Sequence, residues 1–249
     1  MISIVTVTYN NSKGLEKTLK SIQKQTDNAY ELIVIDGGSK DNTASILESY
    51  HNIISFSLSE NDSGIYDAMN KGVKFCTSPF VIFMNAGDCF FDSSSVQKIN
   101  REVKQGDSIY VADCICRTSY GLEKKIMAKP LASYSMPTSH QSIIFPTRFV
   151  NYDLQFKICS DFDLYSRLKK EFAVHNLNFY LSLTEGGGVS SKYKYRSHRE
   201  KFRINRVHKN FFVSSVLFLY EIALSFFKDI FIFVVGRDSL SVICKRLFK

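Results

Sequence analysis

Apolar positions in the first half of the chain alternate between two periods, and that alternation predicts the fold class before any motif is considered. Ile2 to Thr8 is a short run rich in β-branched residues and reads as a strand. The Asn10-Asn11-Ser12 that follows leads into a helical pattern with Leu15, Leu19 and Ile22 on one face. Glu31 to Asp36 is a second strand. The turn Gly37-Gly38-Ser39 and the start signal Asp41-Asn42-Thr43 precede a helix carrying Ile46, Leu47 and Tyr50, and Ile53 to Leu58 is a third strand. Ile65, Ala68, Met69, Gly72 and Val73 have helical spacing, and Phe80 to Met84 is a fully apolar fourth strand.

A βαβαβ order of this kind predicts an α/β protein with a parallel sheet and right-handed crossovers. After a helix marked by Val96, Ile99 and Val103 and a strand at Ser108 to Cys116, the alternation fades. Tyr120-Gly121 could turn a hairpin, Phe162 to Lys170 reads as helix, and Val174 to Leu183 reads as extended.

Composition changes the picture at one end. The 249 residues, 45% apolar, suffice for a full core. Of the net charge of +8, residues 192 to 210 carry +7, eight Lys/Arg against Glu200. The chain is therefore expected to divide into an α/β domain, 1–191, and a basic, amphipathic helical tail, 192–249. Six cysteines without paired CxxC spacing read as reduced and mostly structural. The N-terminus opens directly as a strand, with no basic leader or long apolar core, so a cytoplasmic location is expected for the α/β domain.

In open α/β sheets, ligands bind beyond the carboxyl ends of the strands. Here those ends are Thr8-Tyr9-Asn10, Asp36, Glu60-Asn61-Asp62 and Asn85-Ala86-Gly87-Asp88, so four strands deliver aromatic, amide and carboxylate groups to one edge. Asp and Asn also favour turns and helix caps whatever the function, which suffices for Asp41 or Asn42. Asp88 directly follows a buried-type strand, and a carboxylate there suits a hard cation, Mg²⁺ or Mn²⁺, completed by water and phosphate oxygens.

Four segments, in order, resemble a family 2 glycosyltransferase with a GT-A fold, the large inverting family of bacterial polysaccharide assembly. They are Val5-Thr-Val-Thr-Tyr-Asn10, Ile35-Asp-Gly-Gly-Ser-Lys-Asp-Asn-Thr43, Glu60-Asn-Asp-Ser-Gly-Ile-Tyr-Asp-Ala-Met-Asn-Lys-Gly72 and Phe83-Met-Asn-Ala-Gly-Asp88. The resemblance covers roughly residues 1 to 190. It implies a Rossmann-like mixed sheet flanked by helices, with the basic tail as a C-terminal helical appendage.

The resemblance also implies roles. Thr8, Tyr9 and Asn10 would line the nucleotide pocket, and Asp36 would accept a hydrogen bond from uracil N3–H, making a UDP-sugar the donor. Asp62 would sit near the ribose or sugar. Asn70 would hold the loop that closes over the donor, although a polar helix face beside Ile65 and Met69 explains it equally. Asn85, Ala86 and Gly87 stand where the family usually has Asp-x-Asp, leaving Asp88 as the one carboxylate for the metal.

In Ile158-Cys-Ser-Asp-Phe-Asp-Leu-Tyr-Ser-Arg-Leu168, Asp161 aligns with the family's catalytic base, and helix capping is its alternative reading. His140 and Gln141 resemble a segment that contacts diphosphate or acceptor. Gly186-Gly187-Gly188 would serve as a mobile lid or as a plain loop.

The expected reaction is inverting transfer from a UDP-sugar to a polyprenyl-diphosphate-linked saccharide. Phe211 to Val235 is apolar but interrupted by Glu221, Lys228 and Asp229, short of the ~18 uncharged residues of a spanning helix. Its polar stripe, Ser214, Glu221, Ser225 and Lys228, behind the basic run, suits a helix lying on the inner face of an anionic membrane, and a helix packed on the catalytic domain is the alternative.

Nucleic acid is not an expected partner, because no recognised module accompanies the basic run. A nicotinamide oxidoreductase would need a glycine-rich turn where this chain has Thr8-Tyr9-Asn10-Asn11-Ser12, and a nucleotidyltransferase a glycine-rich basic first loop. A degenerate glycosyltransferase serving as a binding subunit stays open, because Gly87 stands where an acid is usual.

Overall fold

Every residue of β1 (Ile2–Thr8) is buried, as in a strand covered on both faces. β1 pairs in parallel with β2 (Tyr30–Asp36) on one side and with β4 (Phe80–Phe83) on the other, and β3 (Phe56–Ser59) adds in parallel outside β2. The structure is a computed structural model and describes residues 1–104, 106–118, 121–130, 134–208 and 210–235.

The crossovers are α1 (Ser12–Gln23), α2 (Thr43–Ser49) and α3 (Ile65–Val73). Leu15, Leu19 and Ile22 of α1, with Val96 and Ile99 of α4 (Ser95–Glu102), fill one face of the sheet against Ile4, Leu32 and Ile82. Met69 of α3 and Leu164 and Tyr165 of α5 (Ser160–Leu168) fill the other face against Val5, Ile35 and Phe83. Gly72 of α3 lets the helix sit directly on β1, since a Cβ there would stand 2.6 Å from Val5 Cγ1.

The second half adds β5 (Cys89–Phe90), β6 (Ser108–Arg117), β7 (Glu123–Ile126), β8 (Ile143–Pro146) and β9 (Ala173–Glu185). The sheet runs β3-β2-β1-β4-β8-β6-β9-β5, with β7 on β6. β8 lies antiparallel to both β4 and β6, whereas β6 and β9 are parallel. The sheet is therefore mixed, as the family resemblance implies, and the wholly parallel order read from periodicity holds for its first four strands.

Local departures from the sequence reading have simple causes. β3 starts at Phe56 because the Ile53 and Ile54 amides close the end of α2 on Tyr50 and His51. α5 starts at Ser160, ahead of the expected Phe162, which puts Asp161 in its first turn. β5 and β8 have two and four residues, too short to show a period. β6 and β7 pair antiparallel up to Arg117 opposite Glu123, as the expected hairpin requires, and Tyr120 of its turn lies outside the described residues.

The C-terminal segment forms α6 (Val189–Lys192), α7 (Lys194–His208) and α8 (Phe211–Val235). α7 is joined to the catalytic body: its Ile204 packs with Phe156, Ile158, Cys159 and Phe162. Ile204, in the part of the chain expected to form the tail, thus packs against residues of the expected 1–191 domain. Residues 236–249, including Cys244, lie outside the described residues; the other five cysteines are free thiols.

Candidate functional site

The ends of β1, β2 and β4 and the first turn of α5 converge on one edge of the sheet, in two neighbouring parts. In the first part, Thr8 and Asp36 are buried and Tyr9 is 64% exposed. Asp36 accepts the Ser39 N–H and the hydroxyls of Ser39 (2.5 Å) and Ser59 (2.6 Å). Asn10 ties the same turn down, donating its N–H to Ser39 Oγ (2.7 Å) and accepting the Lys40 N–H at its side chain (2.8 Å). Asp62 and Tyr9 both pack against Gly37, and Asp62 Oδ1 accepts the Gly64 N–H.

The second part is a cleft of about 950 Å³ that Asp88, Gln141, His140, Tyr66, Asp161 and Gly186 help to line. The Asn85–Asp88 turn is held from beneath by Thr18 of α1, whose hydroxyl accepts the Gly87 N–H (3.0 Å) and donates to the Asp88 carbonyl (2.7 Å). Gly87 has φ +109°, a conformation that L side chains rarely adopt. Glycine is thus a backbone requirement of this turn as well as the loss of an acid.

Asp88 accepts a hydrogen bond from Gln141 Nε2 (2.7 Å), and burial pushes its carboxyl up to about 6. Beside it Lys17 pairs with Glu185 at 2.5 Å.

Asn85 Oδ1 is buried without a hydrogen-bond partner among the described residues. A carboxylate and an orphaned amide oxygen on one tight turn are hard oxygen donors, and they fit a cation that takes its remaining ligands from phosphate and water. Among the described residues, no three His, Cys, Asp or Glu side chains cluster to hold a metal unaided.

Asp161 faces the same cleft. Its Oδ1 accepts the Phe162 N–H (2.8 Å) and lies 3.0 Å from the Tyr66 hydroxyl, which also reaches the Ile158 carbonyl (2.7 Å). Nothing among the described residues bonds its Oδ2.

Behind it, Tyr66 stacks on Tyr152, and the Tyr152 hydroxyl is 2.7 Å from His140 Nε2. Burial lowers the His140 pKa, so the ring is neutral, and it stacks on Phe83. Burial, reinforced by the Asp161 charge, holds both tyrosine hydroxyls well above their ordinary pKa.

The site residues read from the sequence therefore separate. Asn85, Ala86, Gly87, Asp88, His140, Gln141 and Asp161 share the cleft, with Gln141 on the Asp88 carboxylate and His140 turned into the core. Thr8, Tyr9, Asn10, Asp36 and Asp62 form the adjoining edge. Asn70 is outside both: its amide grips the Tyr152 backbone through two bonds, 2.9 and 2.8 Å, and so secures a loop.

Thr18, Tyr66 and Tyr152 escape the sequence reading. Thr18 and Tyr66 sit on helix faces that periodicity assigns to the core, and Tyr152 lies in an aperiodic stretch.

Comparison with known proteins agrees with this architecture. Glycosyltransferases of PGL/p-HBAD biosynthesis from Mycobacterium bovis and Mycobacterium tuberculosis are 27% identical over 215 residues, covering 77% of this chain and 79% of theirs. The poly(ribitol-phosphate) beta-N-acetylglucosaminyltransferase TarP of Staphylococcus aureus is 26% identical over 138 residues, 53% of this chain and 40% of that protein.

Among solved structures, S. aureus TarS 1-349 in complex with UDP-GlcNAc superposes with a TM-score of 0.65 at 17% identity, over 83% of this chain and 64% of the TarS chain. This chain thus spans somewhat less than two thirds of TarS 1-349. Mannosyltransferase PcManGT from Pyrobaculum calidifontis, in complex with GDP-Man and Mn²⁺, superposes with a TM-score of 0.65 at 12% identity, over 99% of this chain and 79% of that one. The sequence pattern of Glycosyl transferase family 2 matches residues 3–162, and with the mixed GT-A sheet and its carboxylate-lined edge it shows that this chain belongs to that family.

Proposed function

We propose that the protein transfers a sugar, with inversion, from a UDP-sugar to a hydroxyl of a lipid-linked saccharide in cell-surface polysaccharide synthesis. The observation that carries this reading is Asp161: one carboxylate oxygen is fixed by Tyr66 and the Phe162 amide, the other makes no hydrogen bond among the described residues, and the residue lines the cleft that also holds Asp88.

Asp161 takes the proton of the acceptor hydroxyl. The oxygen then attacks the anomeric carbon in line as the bond to the UDP oxygen breaks, which inverts the configuration. Asp88, with Asn85 Oδ1, would hold a divalent cation such as Mn²⁺ or Mg²⁺, which when bound neutralises charge developing on the diphosphate. Tyr9, Asn10 and Asp62 border the nucleoside. Asp36 is 3% exposed, so uracil N3–H reaches it only as the Ser39 turn opens on donor entry.

Membrane attachment at the inner face brings such an acceptor to the cleft, and α8 supports it in an unexpected way. Its polar stripe faces the protein: Glu221 and Ser225 bond His198 at 2.7 and 2.8 Å, and Asp229 bonds Lys194 and Tyr195. Phe212, Leu219, Phe226 and Phe227 are left 74%, 66%, 56% and 66% exposed. An apolar face beside the basic α7 matches an anionic lipid surface. No helix among the described residues is long and apolar enough to cross a membrane.

A UDP-release assay across a panel of UDP-sugars with Mn²⁺ and a lipid extract as acceptor tests the reading. One donor is expected to turn over, and Asp161→Asn is expected to lower kcat by about 10² or more. Tight UDP binding without turnover of any donor, or normal transfer by Asp161→Asn, would overturn it.

A further inference from the structure

Glu200 of α7 is a carboxylate only 4% exposed, and three of its partners are backbone amides of the segment that precedes α5. It accepts the backbone N–H groups of Lys157 (3.2 Å), Ile158 (2.8 Å) and Cys159 (3.0 Å), and Arg196 Nε lies 3.2 Å from Oε1. These amides lead into α5, whose N-cap residue Cys159 makes no capping bond with its own side chain. Cys159 is the N-cap, so its amide is one that the helix leaves unpaired, and the Lys157 and Ile158 amides belong to the approach to it. Here the anion comes from a helix more than thirty residues downstream.

A second link fixes α7 to the same turn. His208 Nε2 is 3.0 Å from Asp163 Oδ1, and Arg167 Nε donates to Asp163 Oδ2 (2.8 Å). Asp161 stands between the two anchors. Its partner Tyr66 also reaches the Ile158 carbonyl, so the peptide unit joining Ile158 to Cys159 is held by Glu200 at the Cys159 N–H and by Tyr66 at the Ile158 carbonyl. A shift of residues 157–159 would therefore displace both Asp161 and the hydroxyl bonded to it.

We propose that Glu200 is a positioning residue for Asp161, clamping the entry to α5 so that Asp161 Oδ2 points into the cleft. The proposal rests on Asp161 acting as the base. It places α7, beyond the residues 3–162 matched by the family pattern, within the catalytic unit.

The test compares Glu200→Gln, which keeps the shape but offers one acceptor oxygen, with Glu200→Asp, which keeps the charge one methylene short, and with Asp161→Asn, all in the full-length chain. Glu200→Gln should lower kcat at least tenfold, a loss of about the size that a sub-ångström to 1 Å misplacement brings, while donor KM and UDP affinity stay within about twofold. Glu200→Asp should fall between Gln and the parent.

A Glu200→Gln kcat within about twofold of the parent, with Asp161→Asn inactive, overturns this proposal alone. UDP affinity falling in step with kcat in both Glu200 variants assigns the residue to folding and overturns it too. Full activity of Asp161→Asn would instead overturn the reading on which it rests.

Discussion

Asp88 combines a burial penalty with a polar anchor. Its folded pKa of about 6 lies above the ordinary 3.8, so the folded state holds the proton more tightly than the unfolded one. The stability this contributes is complete below the unfolded value and is lost as pH rises through about 6. In protein stripped of divalent metal, Asp88→Asn should melt above the parent at about pH 7.5, by roughly 2–6 °C. The gap should close near pH 4. Thermal melts in EDTA at both values check this, and an equal gap at both would remove burial of the charge as its cause. The sequence made Asp88 conspicuous because it follows an apolar strand, but it could not show Gln141 reaching it from 53 residues away.

At the scale of elements, the seat of α3 on β1 is set by what Gly72 lacks. Val5 is fully buried, and a Cβ at residue 72 would stand 2.6 Å from its Cγ1. Gly72→Ala should therefore destabilise the protein by about 1–3 kcal/mol through overpacking, despite the better helix propensity of alanine. Urea unfolding of the two proteins measures the difference, and a neutral or stabilising result would show that the helix can lift freely. The same helix carries Tyr66 and Asn70, so its seat also sets the floor behind Asp161. Periodicity placed Gly72 on the buried face, but the closeness of approach is a property of the packed pair.

At the scale of the whole molecule, α8 leaves an apolar face exposed. In the sequence, the polar stripe of Ser214, Glu221, Ser225 and Lys228 suits a helix lying on an anionic membrane surface, with α8 packed on the protein as the alternative. In the structure α8 packs on α7, and Ser214 is 1% exposed. The polar groups of α8 bond the His198 ring, the Lys194 ammonium and the Tyr195 hydroxyl, which turns the phenylalanines outward. Replacing Phe212, Leu219, Phe226 and Phe227 with Ser should leave donor turnover in detergent unchanged within about twofold, since none touches the cleft. It should abolish flotation with vesicles of anionic lipid. Flotation equal to that of the parent would remove α8 as the attachment surface.

Taken alone, the sequence determined the βαβ order, the four polar strand ends and the family, because periodicity and turn chemistry are local and survive without a fold. It also carried Asp161 and Asp88 as candidates. The fold decided which of these residues meet. It separated the Asp36 edge from the Asp88 and Asp161 cleft, set β8 antiparallel among the parallel strands, made Gly87 a backbone necessity and turned Glu200 from a lone acid in a basic run into the anchor of α5. Each depends on contacts between residues far apart in the chain, and a linear pattern does not encode which distant groups will share a buried space.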